Sequence, residues 1–292
     1  MLGVDLAFDD GKPQAALALL ERLRTLRPRD PTVLNNIGYA YVELGDIQKA
    51  IEAYRKATQL DPTYAQGAYN FALSLLDAGL PDQAEAALKP WVDRIKEYPV
   101  MGLLLAEACQ SSGHTTDAVG YARRALAAPK IPPLVLFELG VLIRRLGDVT
   151  KAEEVFRLVM IREPAMIGAA FSLAGILREA RRFDEAQKVL DDVERRAPDH
   201  PSLLTERGLL QEATGRLEAA VQSFDRAVEK DPRLSRASIW AAECLIKLRR
   251  LSEALRRLEM VLGPSSRASP TERRAAQKLK TAIERAMSGP GK

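Results

Sequence analysis

Aromatic residues make up only 5% of this sequence, and histidine and cysteine occur twice each. Cys109 and Cys244 supply neither a disulfide framework nor metal-ligand spacing. His114 and His200 fall in expected turns with no cysteine or carboxylate set beside them, whereas metal ligands come in orienting clusters. No G-x-S-x-G, G-x-x-x-x-G-K-[ST] or H-E-x-x-H occurs, which removes the sequence marks of a serine hydrolase elbow, a P-loop and a zinc protease helix. No apolar run approaches the roughly 18 residues a membrane helix needs. The opening MLGVDLAFDDGK has no basic stretch leading into a long apolar one, so the expectation is a soluble, cytoplasmic protein, periplasmic only if its N-terminus is processed. Neither a catalytic activity nor a cofactor nor a metal is expected.

What the sequence does hold is alanine, leucine and charge. It is 47% apolar and 28% charged, which excludes a disordered chain and biases it toward helix. At 292 residues it is long for one core, so two domains or a repeat array are the options. The net charge of +4 is uneven: from Arg249 to Lys292 eleven Lys and Arg face four Asp and Glu, a net +7, so the first 248 residues sum to −3.

The stretch from Pro31 to Tyr64, PTVLNNIGYAYVELGDIQKAIEAYRKATQLDPTY, decides between the options. Stepping 34 residues gives unit starts at 31, 65, 99, 133, 167, 201 and 235 without insertion or deletion. Position 20 of the unit is Ala16, Ala50, Ala84, Ala118, Ala152, Ala186, Ala220 and Ala254; position 8 is always Gly or Ala, as close helix crossing requires. Position 15 is Gly11, Gly45, Gly79, Gly113, Gly147 and Gly215, suited to a left-handed helix end, but Arg181 and Arg249 stand there in two units and predict strained turns. Asp46 and Asp148 are placed to cap second helices, and Pro28, Pro62, Pro164, Pro198 and Pro232 to end them.

Leu34, Gly38, Tyr41, Ala50, Tyr54, Ala57 and Pro62 make this unit resemble the tetratricopeptide (TPR) helix–turn–helix repeat. The resemblance implies an all-α fold, a right-handed superhelix of paired helices. Residues 1–30 then form a truncated first repeat, 31–268 seven complete units (31–64, 65–98, 99–132, 133–166, 167–200, 201–234, 235–268), and 270–288 a capping helix. That last helix, after the linker GPSSRASPT, is expected over 271–287 with Ala275, Leu279, Ala282, Ile283 and Ala286 as its apolar stripe. The second unit is irregular: Pro90 falls inside a second helix and predicts a bend after Lys89, with Trp91 where other units keep alanine.

In such repeats the first helices line a concave groove, and the resemblance implies groove exposure at positions 2, 5, 6, 9, 12 and 13. The candidate binding residues are therefore Asn36, Tyr39, Tyr69, Asn70, Leu73, Leu103, Leu104, Phe137, Val141, Arg144, Phe171 and Arg178. Asn36 and Asn70 share position 6, where arrays resembling the O-GlcNAc transferase superhelix carry an asparagine ladder. A side-chain amide donates and accepts at once, so stacked asparagines can hold a peptide backbone without reading its sequence. The ladder has two rungs only, since Leu104, Glu138, Ser172, Glu206 and Trp240 follow. A carboxylate clamp of the chaperone-binding kind lacks its Lys and Arg, with Asn70 matching alone. Arg144, Arg145 and Arg178 are expected to pair with Glu107, Glu138 and Glu179.

The expected function is a non-catalytic scaffold that takes a peptide or amphipathic helix of a partner protein into this groove. Two rivals stand beside it. One is nucleic-acid or acidic-partner binding by the basic tail, which has clustered Arg and Lys but no aromatic residue after Trp240 on which bases could stack. The other is a targeting or assembly module of a larger protein.

Overall fold

A computed structural model describes residue 8 and residues 11–264 and 266–288. From Pro13 onward the described residues form sixteen α-helices and one short 3₁₀ segment, with no strand among them. The chain divides into two compact units, Met1–Val155 and Phe156–Lys292. The first holds α1 (Pro13–Leu26), α2 (Pro31–Glu43), α3 (Ile47–Leu60), α4 (Ala65–Asp77), α5 (Pro81–Leu88), α6 (Pro99–Ser111), α7 (Thr115–Leu126) and α8 (Pro133–Arg145). The division falls within α9 (Val149–Arg162). The second unit continues with α10 (Ile167–Glu179), α11 (Phe183–Arg196), α12 (Pro201–Ala213), α13 (Leu217–Lys230), α14 (Ser235–Lys247), α15 (Leu251–Leu262) and α16 (Pro270–Ser288).

Each first helix ends by the same local chemistry. Gly45 takes φ +76°, its N–H bonds Val42 O, and the next N–H, of Asp46, bonds Tyr41 O at 2.9 Å. This is the Schellman closure, which satisfies carbonyls the helix leaves open and needs a left-handed residue at its centre. Gly79, Gly113, Gly147 and Gly215 repeat it, and so do Arg181 (φ 58°) and Arg249 (φ 62°), which carry the expected strain. Asp46 and Asp148 then cap second helices, accepting the N–H of Lys49 at 3.2 Å and of Lys151 at 3.1 Å. Helices α1, α3, α9, α11 and α13 each end two residues before the proline that follows them.

Within a pair, close approach fixes the small residues. All eight position-20 alanines, Ala16 to Ala254, are fully buried. A Cβ on Gly38 would lie 2.5 Å from the buried Tyr54 ring, and one on Gly208 2.5 Å from Phe224, so the aromatic packs directly on the backbone of the facing helix. Burial also pushes the Tyr54 hydroxyl pKa well up, keeping it neutral.

Pro90 acts as expected: α5 stops at Leu88 and Lys89–Arg94 turn as a 3₁₀ segment. The segment buries Trp91, with Ile95 buried just beyond it. Arg94 lies over both Trp91 and Tyr98 at 4.7 Å, a cation–π clasp on an edge-to-face aromatic pair.

The last helix departs from its expected register. Helix α16 begins at Pro270, behind a capping box in which Ser269 and Glu272 bond each other's backbone N–H groups. Ala276 and Ile283 are buried with Leu279 packed beside them, while Ala275, Ala282 and Ala286 are exposed. Only Leu279 and Ile283 of the expected stripe face the core. The reason is Arg273, whose guanidinium bonds the carbonyls of Leu262, Gly263, Ser266 and Ala268 and so sets the roll of the helix on α15. The part of the truncated first repeat ahead of Gly11 lies outside the described residues except for Phe8, which packs on the α1–α2 core.

Candidate partner-binding face

In the first unit each helix packs on the next, and the first helices of successive pairs also touch: α2 on α4, α4 on α6 and α6 on α8. Residues of equal position therefore form rows across neighbouring first helices. Along these rows Tyr39 and Leu73 are 44% and 36% exposed, and Leu134 61%. Asn36, Tyr69, Asn70, Phe137, Val141 and Arg144 are half-buried.

Leu103 and Leu104 are a correction. Expected on the open face, they are only 6% and 3% exposed. Helix α6, PVMGLLLAEACQS, has nine buried residues and is held between α4 and α8, so both leucines belong to the core. An apolar face that continues all round a helix marks it as enclosed.

The two asparagines do not stand as independent rungs. Gln66 Nε2 donates to Asn70 Oδ1 at 3.0 Å, Asn70 Nδ2 donates to Asn35 Oδ1 at 2.8 Å, and Asn35 Nδ2 donates to Asn36 Oδ1 at 3.3 Å. Asn35 stands at position 5, where groove exposure was expected, but it is only 5% exposed and is instead the buried hub of this chain of amides. Its signal in the sequence is the spacing: Asn35 and Asn70 lie 35 residues apart, one repeat plus one position, which sets neighbouring first helices side by side. The bonds run in one direction, from the exposed Gln66 toward Asn36, and they fix all four amide planes.

Beside the amides, Tyr39 meets Phe8 edge to face at 5.1 Å. The nearby Glu43 carboxylate, with partial burial and a hydrogen bond, raises the Tyr39 pKa. Farther along, Arg145 lies 3.7 Å from Glu107, as expected of that pair. Burial raises the Glu107 pKa, and Arg145 offsets part of that effect.

Phe171 and Arg178 belong to the second unit. Phe171 is half-buried, with the His200 ring 5.7 Å away, and the buried Arg178 Nε has no hydrogen-bond partner among the described residues. His200, expected as a solvated turn residue, instead caps α12: its Nδ1 accepts the Ser202 N–H at 3.2 Å. His114 is the solvated one, with Glu85 at 3.4 Å. Both cysteines are buried, which pushes the Cys109 thiol pKa to about 12 and that of Cys244 to about 11, far from a reactive thiolate. Among the described residues no group of three or more His, Cys, Asp or Glu could hold a metal ion. Nor is any helix among them long and apolar enough to cross a membrane.

The second unit also contains a polar layer that the repeat pattern conceals. Position 7 holds a buried aliphatic in Ile37, Leu105, Leu139 and Leu173, but Arg207 in α12; position 11 there is Gln211, where Leu75, Leu177 and Leu245 are buried. Arg207 forks to Glu194 at 2.6 Å and reaches Asp191 at 2.8 Å, and Ser223 donates to Gln211 at 2.7 Å. A cleft of about 430 Å³ opens between α11 and α12, lined in part by Phe183, Asp184, Gln187 and Arg216.

Sequence profiles described as tetratricopeptide repeat match residues 2–65, 103–164 and 171–235, and a second such profile matches 41–107 and 212–265. No curated protein sequence matches the chain. Among solved structures, a tetratricopeptide repeat protein from Parabacteroides merdae is similar with a TM-score of 0.58 at 15% identity, covering 87% of each chain. A chain of the APC/C hetero-tetramer Cut9–Hcn1 is similar with a TM-score of 0.58 at 20% identity, over 83% of this chain. This chain spans about half of that one, 48% of its length. At such identities these likenesses concern the fold alone.

Proposed function

The chain belongs to the tetratricopeptide-repeat family, whose arrays are protein–protein interaction scaffolds, and from that premise we propose that it holds a segment of a partner protein on the first-helix face of its first unit. The reading takes the array as one truncated and seven complete repeats with no chemistry of its own. Tyr39, Leu73 and the half-buried Tyr69 and Phe137 supply apolar contact, with Val141 and Arg144 at the far end. Asn36 and Asn70 supply fixed hydrogen-bonding groups at the near end. Phe171 and Arg178 are candidate contacts of the second unit.

The observation that carries the reading is the juxtaposition of exposed Tyr39 and Leu73 with an already ordered amide chain. Ordering these side chains before binding removes part of the entropy that binding would otherwise cost. Apolar side chains left in water beside them gain by being covered. In an affinity capture, the partner retained by the wild-type chain is expected to be lost by a Tyr39→Ser, Leu73→Ser double variant whose thermal unfolding matches wild type. Equal retention by the two would overturn the reading.

A further inference from the structure

Helices α2, α4 and α6 contain no lysine or arginine; their only charged residues are Glu43, Asp77 and Glu107. Three consecutive first helices thus present carboxylates and no cation, although the whole chain is net positive. We propose that the segment bound on this face is extended and basic: a stretch of polypeptide in strand-like conformation, with Lys or Arg side chains alternating with apolar ones. The inference rests on the partner-binding reading above and adds the chemistry of the partner.

Two independent features support it. The first is charge. Glu43 and Asp77 occupy the same position one repeat apart and are exposed, with no Lys or Arg at salt-bridge distance among the described residues. Glu107 is half-buried, Glu138 raises its pKa further, and only Arg145 at the far end opposes this. A cation brought onto this face is attracted by its carboxylates, whereas an anion would add to the repulsion between Glu107 and Glu138.

The second is the amide chain. An α-helix has its backbone N–H and C=O groups already satisfied internally, so it offers nothing to side-chain amides. An extended segment leaves them free. Asn36 Nδ2 stands at the donor end of the Gln66–Asn70–Asn35–Asn36 chain, and Gln66 Oε1 at the acceptor end. They can take a C=O and an N–H of a strand-like backbone. Alternate side chains then fall on Tyr39 and Leu73 or point to the carboxylates, as the two-residue period of a strand directs.

The test is fluorescence anisotropy on the full chain with three labelled probes: a short peptide alternating Lys and Leu, its Glu and Leu counterpart, and a stapled amphipathic Lys/Leu helix. The extended Lys/Leu peptide is expected to bind best. Its affinity should fall about tenfold in Glu43→Gln, Asp77→Asn, and to a similar degree in Asn36→Ala, Asn70→Ala. Salt should weaken wild-type binding more than binding by the neutralised variant. Preference for the Glu/Leu peptide or for the stapled helix, or an unchanged affinity in the neutralised variant, overturns the inference. If the preferred probe is one of those but still requires Tyr39 and Leu73, the face binds a partner of other chemistry and only the further inference falls. Absence of binding by all three probes overturns it as well.

Discussion

At the scale of single residues, two backbone positions set the repeat, and each yields an opposing pair of substitutions. Arg181 and Arg249 hold the left-handed conformation that glycine holds in the other units. Arg181→Gly is expected to raise stability by about 1 kcal/mol and Gly45→Ala to lower it by a similar amount, read as shifts of the urea midpoint. The second pair concerns closeness. Gly38→Ala places a methyl 2.5 Å from Tyr54 and is expected to destabilise by about 1–3 kcal/mol. Gly120→Ala in α7, which meets nothing within 4 Å, should stabilise by roughly 0.5–1 kcal/mol. Glu107 adds a pH effect. Its folded carboxyl holds its proton more tightly than the unfolded one, so stability declines as pH rises from the ordinary carboxylate range through the raised folded value. Glu107→Gln is therefore expected to raise the unfolding midpoint at pH 7 and to remove that decline, with little change below the ordinary carboxylate range.

At the scale of elements, the informative places are those where a helix departs from its siblings. Arg207 stands where four other units bury Ile37, Leu105, Leu139 or Leu173, and it is held by two carboxylates that are themselves partly exposed. Because Asp191 and Glu194 can be rehydrated, Arg207→Leu is expected to be more stable than Arg207→Ala by about 1–2 kcal/mol, the difference being the apolar area a leucine buries. Equal stabilities would mean that the cleft between α11 and α12 admits no packing. Helix α16 is the second case. It covers a core of Ala254, Leu258 and Val261, and Arg273 closes the linker before it. Ending the chain before Pro270 uncovers that core and removes Ile283. The expected loss is about 3 kcal/mol or more, with increased self-association measured by light scattering.

At the scale of the whole molecule, charge separates the two expected binding modes. The basic tail is partly spent on the chain itself: Arg250 forks to Glu253, Arg257 to Asp225 at 2.6–2.9 Å, Lys280 to Glu259, and Arg273 to backbone carbonyls. Nucleic-acid binding is therefore expected to be weak, indifferent to sequence and abolished by physiological salt in a filter-binding series. Tight binding that survives salt would restore the tail as a functional surface.

Much of this could be read from residue order alone. The alanines at position 20, the glycines after each first helix and the prolines after each second helix act on their own turns, through φ angles and contacts within a few residues. A 34-residue period preserves them whatever the rest of the chain does. The face offered to a partner is different, because it is made by residues about one repeat apart. Whether Leu103 lines a groove or sits in the core depends on how closely α4 and α8 flank α6. Whether Asn70 points outward or to Asn35 depends on the register of two neighbouring first helices. The register of α16 likewise came from Arg273 reaching back to the end of α15. The sequence by itself determined where each helix starts, stops and turns; only the tertiary structure, through contacts between helices, decided which apolar and amide side chains remain for a partner.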